Sequence, residues 1–213
     1  MRIKGVLFDL DGTLLDSKEA IVASFKKTAK ILGISLDERK VRRLIGIPSR
    51  EIIKAATLTQ LSEEIITAFV RLRRQIFEEI WRKEVQLYPD VIPTLERLQK
   101  RGFLLGIVSS NISSRLKAMV SYFNLNKYMS VVVGYEGGMR PKPYPDMILF
   151  ALRKLNLTPD EVIYVGDSEQ DYMSAKNAGT LFIMVDREGK YTQAPFPIIK
   201  SLFELLSIMN DNA

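Results

Sequence analysis

The chain has 213 residues, with 31 Lys and Arg against 25 Asp and Glu, a net charge of +6, and neither cysteine nor histidine. That composition excludes disulfides, iron–sulfur clusters, zinc–thiolate sites and every His-dependent scheme, Ser-His-Asp and Cys-His catalysis included. Chemistry is left to Asp, Glu, Lys, Ser, Thr, Tyr or Arg, and a metal, if used, is a hard one held by oxygen.

Short apolar, β-branched runs at Ile3–Phe8, Leu104–Val108, Val131–Val133, Val162–Val165 and Leu181–Val185 read as buried strands. The first strand is followed, after Asp16, by about 70 residues of helical pattern, far more than a single crossover needs. In that stretch Ile21, Phe25, Ala29 and Leu32 form one apolar stripe, Ser35 with Glu38 looks like a capping box, and Ser49 is placed to cap a third helix. Ile65, Phe69, Leu72 and Ile76 line a long fourth helix ending near Trp81. From Val91 onward, strands alternate with amphipathic helices over Ile92–Lys100, Ser113–Tyr122, Asp146–Leu155 and Ser168–Ala178. The pattern predicts an α/β fold, a Rossmann-like doubly wound parallel sheet, carrying a small all-helical cap domain. The expected division is a core of residues 1–14 and 86–213 with a cap of residues 15–85.

No uncharged apolar run reaches the ~18–20 residues of a membrane span, and the run before Asp9 is shorter than the roughly 7–15 residues of a signal sequence. A cytoplasmic location without a membrane partner is expected. The basic residues are dispersed over helical segments (Arg39, Lys40, Arg42, Arg43; Arg71, Arg73, Arg74) and read as solvated faces, so no nucleic-acid partner is expected.

Ligands of open α/β sheets bind at the carboxyl ends of the strands. Here those ends carry Asp9-Leu10-Asp11-Gly12-Thr13, Ser109-Ser110-Asn111 and Gly166-Asp167-Ser168-Glu169-Gln170-Asp171. Asp9 and Asp11, two apart in extended chain, face one site. Gly12 lets the chain turn without a side chain in the way of a ligand. Asp167 and Asp171, four apart at a helix start, share one face. Carboxylates gathered this closely repel one another and call for a cation, and an all-oxygen set favours Mg²⁺. Each fragment alone is commonplace, Asp-Gly as a turn and Asp-Ser as a cap; their convergence at strand ends is what carries the reading.

These residues resemble the haloacid dehalogenase-like hydrolase superfamily over nearly the whole chain. The first motif is Phe8-Asp9-Leu10-Asp11-Gly12-Thr13, the second Ile107-Val108-Ser109-Ser110-Asn111, the third Lys142-Pro143, and the fourth Val165 through Asp171. The resemblance implies that Asp9 attacks phosphorus and that Asp11 protonates the leaving oxygen, then activates water. It implies that Ser109, Ser110, Asn111 and Lys142 hold phosphoryl oxygens. Mg²⁺ would be bound by Asp9, Asp167 and the backbone carbonyl of Asp11, with Asp171 supporting its shell. Within the cap, Gly46 and Arg50 are the candidate substrate contacts. Asp90 departs from the family habit of glycine after Tyr-Pro. The implied activity is hydrolysis of a small phosphorylated metabolite through an aspartyl-phosphate, as in the phosphoglycolate phosphatase-like branch. A sugar-phosphate mutase sharing these motifs, and a non-catalytic phospho-accepting interaction protein, are the alternatives.

Overall fold

The computed structural model describes residues 3–191 and 193–209. The chain forms two compact units, one of residues up to Leu15 and from Leu87 onward, the other Asp16–Gln86.

In the first unit, six parallel strands form one sheet: β1 (Gly5–Phe8), β4 (Leu104–Ile112), β5 (Val131–Tyr135), β6 (Val162–Gly166), β7 (Leu181–Val185) and β8 (Ile198–Ile199). Their spatial order is β5-β4-β1-β6-β7-β8. The connections run outward from β1 through β4 to β5, then return to its other side at β6. The order therefore reverses beside β1, where ligands of doubly wound sheets are held. Alternation along the strands splits the core in two. Leu7, Val108, Val133, Tyr164 and Met184 pack with α7 (Asp146–Leu155) and α8 (Glu169–Ala178). Their sequence neighbours Val6, Phe8, Ile107, Val165 and Val185 point the other way and are equally buried. Helix α5 (Val91–Lys100) packs against α9 (Leu202–Ile208), and α6 (Ser113–Tyr122) follows β4.

A largely buried ion pair ties this unit together where the chain re-enters it. Arg187, just beyond β7, donates to both oxygens of Asp90 at 2.9 and 3.1 Å, to the Thr13 carbonyl at 2.8 Å, and stacks on Tyr88. Asp90 also accepts from the Ser201 hydroxyl at 2.7 Å and the Leu202 backbone at 2.8 Å. Asp90 thus anchors the start of α9.

The second unit holds α1 (Lys18–Leu32), α2 (Glu38–Leu44), α3 (Ser49–Ala56) and α4 (Glu63–Glu84). Short strands β2 (Leu15–Asp16) and β3 (Gln86–Leu87), at the two crossings between units, pair with each other. The structure departs from four local expectations in this unit. The cap of α2 is Asp37, whose carboxylate accepts from the Arg39 and Lys40 backbones; Ser35 lies too early because Leu36 is held extended by a bridge to Thr57. Ser49 is the first residue of α3, and Pro48 occupies its cap position. The buried stripe of α1 runs through Val22, Phe25 and Ala29, with Leu32 exposed. On α4 the buried stripe is Ile66, Phe69, Arg73, Ile76, Phe77 and Ile80, while Ile65 is 43% exposed. Two adjacent isoleucines left the helix phase ambiguous, and packing against Phe25 and Ile53 in the same core decides it.

Candidate active site

The site is built from four pieces of the first unit. The β1–β6 ladder extends one residue past β1, with the Asp9 amide donating to the Val165 carbonyl at 2.8 Å. The chain then closes a tight turn in which Leu14 and Leu15 both donate to the Leu10 carbonyl. Asp9 is thereby fixed at the end of β1 and Asp11 within the turn.

The next strand supplies the second piece through an irregularity. Pairing between β4 and β5 is regular up to Val108 opposite Val133, then shifts before resuming with Ile112 opposite Tyr135. Ser109, Ser110 and Asn111 fall in that interruption, where a strand re-aims its side chains. Ser109 is buried, Ser110 exposed and Asn111 half-buried. The Asn111 side chain donates to Asp11 Oδ2 at 2.5 Å and to Ser109 Oγ at 3.4 Å, and its backbone amide donates to Ser109 Oγ at 3.2 Å. Asp11 Oδ1 is buried with no hydrogen-bond partner.

The fourth strand end contributes Asp167 and Asp171. Ser168 caps α8, accepting from the Asp171 amide, while Asp171 Oδ2 accepts from the Ser168 amide at 3.1 Å and hydroxyl at 2.6 Å. This reciprocal capping box holds Asp171 rigidly. Two glycines make room for these carboxylates. A Cβ on Gly12, whose φ is +82°, would collide with the Asp167 carboxylate, and one on Gly166 would lie 2.5 Å from Asp171 Cγ. Gly12 therefore serves the approach of Asp167 as well as the turn.

Lys142, buried despite its charge, arrives from the segment before α7. Its ammonium donates to Asp9 Oδ1 at 2.5 Å, Asp171 Oδ1 at 2.6 Å and the Tyr164 hydroxyl at 3.0 Å. Burial acts to strip its proton, but Asp171 and Asp9 outweigh burial and hold it firmly charged. One ammonium does not balance the carboxylates around it. Burial above all, with Asp171 and Asp11 adding repulsion, pushes Asp9 up to about 7 despite Lys142. Asp167 is raised well above the usual range by burial and by Asp171 and Asp9.

Carboxylate oxygens of Asp9, Asp167 and Asp171 lie within 4.8 Å of one another. An all-oxygen, under-neutralised set of this kind suits a hard divalent cation. Asp171 is already bonded through both oxygens, which leaves Asp9 and Asp167 as the less committed donors. The Asp11 side chain is outside this cluster, turned to Asn111. The remaining expected residues lie in the second unit. Gly46 follows α2 with φ +116°, and Arg50 is paired with Glu63 and donates to Thr67.

Sequence reasoning missed Tyr164. Its ring packs in the apolar core, so periodicity reads it as one more strand residue. The signal that was available is its polar tip, since a buried tyrosine hydroxyl needs a partner.

The haloacid dehalogenase-like hydrolase family model matches residues 6–185. A putative pyrophosphatase PpaX from Caldanaerobacter subterraneus is 33% identical over 94% of this chain and 87% of its own length. A phosphoglycolate phosphatase from Aquifex aeolicus is 33% identical over 82% of this chain and 81% of its own. Among solved structures, a haloacid dehalogenase-like hydrolase from Bacteroides fragilis superposes with a TM-score of 0.87 at 28% identity, covering 96% of this chain and all of that one.

Proposed function

This chain belongs to the haloacid dehalogenase-like hydrolase family, and we propose that it is a Mg²⁺-dependent phosphatase that hydrolyses small phosphate esters through a covalent intermediate on Asp9. The observation that carries the reading is the buried contact of 2.5 Å between Asp9 and Lys142 beside the Asp9–Asp167–Asp171 cluster. A carboxylate nucleophile and an anionic phosphate repel each other, and a lysine beside the nucleophile together with a cation at the cluster offsets that repulsion.

In the proposed reaction an Asp9 oxygen attacks phosphorus in line with the ester oxygen. The Asp9 O–P bond forms as the P–O(ester) bond breaks, and Asp11 gives a proton to the departing alkoxide. Water then attacks the aspartyl-phosphate, Asp11 takes its proton, and phosphate leaves with Asp9 restored. Lys142 and Ser109 hold the non-bridging oxygens. Asp9, Asp167 and the Asp11 carbonyl would hold Mg²⁺, which supplies charge neutralisation for the phosphoryl group when bound.

The relatives named as pyrophosphatases make inorganic pyrophosphate a second candidate substrate. The attack is the same, but the leaving group is itself a phosphate and needs less protonation. Ranking p-nitrophenyl phosphate, phosphoglycolate, β-glucose 1-phosphate and pyrophosphate by kcat/KM, with and without Mg²⁺, tests the proposal. Free phosphate from an ester only when Mg²⁺ is present supports it. Faster turnover of pyrophosphate than of any ester would select the anhydride reading, and conversion of β-glucose 1-phosphate to glucose 6-phosphate would select the mutase.

A further inference from the structure

Tyr164 is the central residue of β6 and is fully buried, on the sheet face that packs against α7 and α8. Its ring lies among Leu7, Val108, Val133, Met147 and Phe182. Phenylalanine would satisfy that environment as well. The hydroxyl is the added feature, and it is buried away from solvent. It lies 3.0 Å from Lys142 Nζ, 3.0 Å from Asp171 Oδ1 and 3.1 Å from the Val108 carbonyl.

The hydrogens around Lys142 can be accounted for in full. An ammonium has three protons and no acceptor site. Asp9 Oδ1, Asp171 Oδ1 and the Tyr164 oxygen take one each, and the Val108 carbonyl at 3.5 Å is a distant fourth. Tyr164 accepts from Lys142 and donates its own hydrogen bond to the Val108 carbonyl or to Asp171 Oδ1. Of the three acceptors, Asp171 is fixed by its capping box with Ser168 and Tyr164 by the core packing of its ring. Asp9 alone is a reacting group in the proposed chemistry. For Lys142 to reach a phosphoryl oxygen, one of its three bonds has to be exchanged, and the two rigid partners keep the ammonium in place while the Asp9 contact gives way.

We propose that Tyr164 is a positioning residue for the phosphoryl-transfer step, holding Lys142 from the core side so that its ammonium stays aimed past Asp171 at the oxygen of Asp9 and the group Asp9 attacks. The inference rests on the function proposed above, because it assigns Lys142 to the phosphoryl group. Its physical content is separate: it claims that one phenol oxygen fixes one ammonium. Misplacing a catalytic group by about 1 Å is enough to slow an enzyme substantially.

Tyr164→Phe removes that oxygen and keeps the ring. With p-nitrophenyl phosphate and Mg²⁺, kcat/KM is expected to fall about tenfold, the scale of one hydrogen bond to a charged group. The informative measurement is the cycle of wild type, Tyr164→Phe, Lys142→Met and the double variant. If the phenol acts through Lys142, its removal in the Lys142→Met background costs no more than about twofold. An equal loss in both backgrounds, or a Tyr164→Phe enzyme keeping more than half its activity, overturns the proposal. Should Lys142→Met be too slow to assay, inhibition by orthovanadate across the four proteins reads the same cycle. A crystal structure of Tyr164→Phe keeps the question separate from the function: Lys142 Nζ displaced or in several positions is expected. An ammonium unmoved in that structure refutes the positioning role even if the protein proves to be no phosphatase. Wild-type inactivity on every phosphate ester refutes the functional reading and leaves the structural arm to decide the role of Tyr164.

Discussion

The side chain of Asn111 donates to one oxygen of Asp11 at 2.5 Å and leaves the other buried with no hydrogen-bond partner. This pairing orients Asp11 while keeping an oxygen uncommitted, which is what a proton-transfer group requires. Asn111→Ala is expected to lower kcat by about tenfold with a smaller change in KM, because loss of orientation affects general catalysis of roughly 10²–10⁴-fold. The loss should be larger with an alkyl phosphate, whose leaving oxygen needs a proton, than with p-nitrophenyl phosphate. Steady-state kinetics on both esters checks this; equal losses on the two would place Asn111 on the phosphoryl oxygens.

The acidic cluster makes a prediction about stability. Asp9 is raised to about 7 by burial and Asp167 is raised in the same direction. A carboxyl raised on folding contributes stability that is fully present below its unfolded value of about 3.9 and lost as pH rises through its folded value. The metal-free protein should therefore lose stability between about pH 4 and pH 7 from Asp9, with Asp167 acting in the same direction. Adding Mg²⁺ at neutral pH should raise Tm, since a cation held by the proposed cluster would bind the folded state alone. Thermal melts with and without Mg²⁺ check this. Asp9→Asn and Asp167→Asn should both shrink the increase, and Asp9→Asn should flatten the metal-free pH profile.

A different aspartate has the opposite sign. Burial works to raise Asp90, but hydrogen bonds from Arg187, Ser201 and Leu202 outweigh it and hold the carboxyl below its ordinary value. Its contribution is present above the unfolded value of about 3.9 and is lost as pH falls through the lower folded value. Asp90→Ala leaves Arg187 without its carboxylate and should cost about 3 kcal/mol, the scale for breaking a buried ion pair. Urea unfolding at neutral pH measures that loss, and the variant should lose less than the wild type when the pH is lowered.

Helix α4 offers a test of packing. Ile66 is buried in the core of the second unit and Ile65, beside it, is exposed. Ile66→Ala should destabilise by about 2–5 kcal/mol, whereas Ile65→Ala should cost less than about 1 kcal/mol. The midpoints of denaturant unfolding for the two variants decide the phase.

Much of the core sheet was legible in the sequence because its strands are short, apolar and separated by amphipathic helices. Leu181–Val185, Ser113–Tyr122 and Asp146–Leu155 stand at their expected bounds. The helical unit was read less well. The phases of α1 and α4, and the cap of α2, depend on contacts among helices that local patterns do not specify. The closing segment was missed although Ser201 and Glu204 form a capping box. At the candidate site, the aspartates announced themselves by standing at or just beyond strand ends, whereas Lys142 was singled out only by the family resemblance. What local pattern could not convey is how they pair: that Asn111 bonds Asp11, that Asp171 is the seat of Lys142, and that the core residue Tyr164 completes it. Those relations arise from strands and loops distant in sequence, and only the folded sheet brings them to one edge.

Asp9 is the proposed nucleophile of a metal-dependent phosphatase. Hydrolysis of p-nitrophenyl phosphate by the wild type and Asp9→Asn, each with and without Mg²⁺, tests it most directly. The wild type should release phosphate only with Mg²⁺, and Asp9→Asn should fall to the background rate in either condition. An Asp9→Asn enzyme with activity near that of the wild type, or a wild type indifferent to Mg²⁺, would contradict the account.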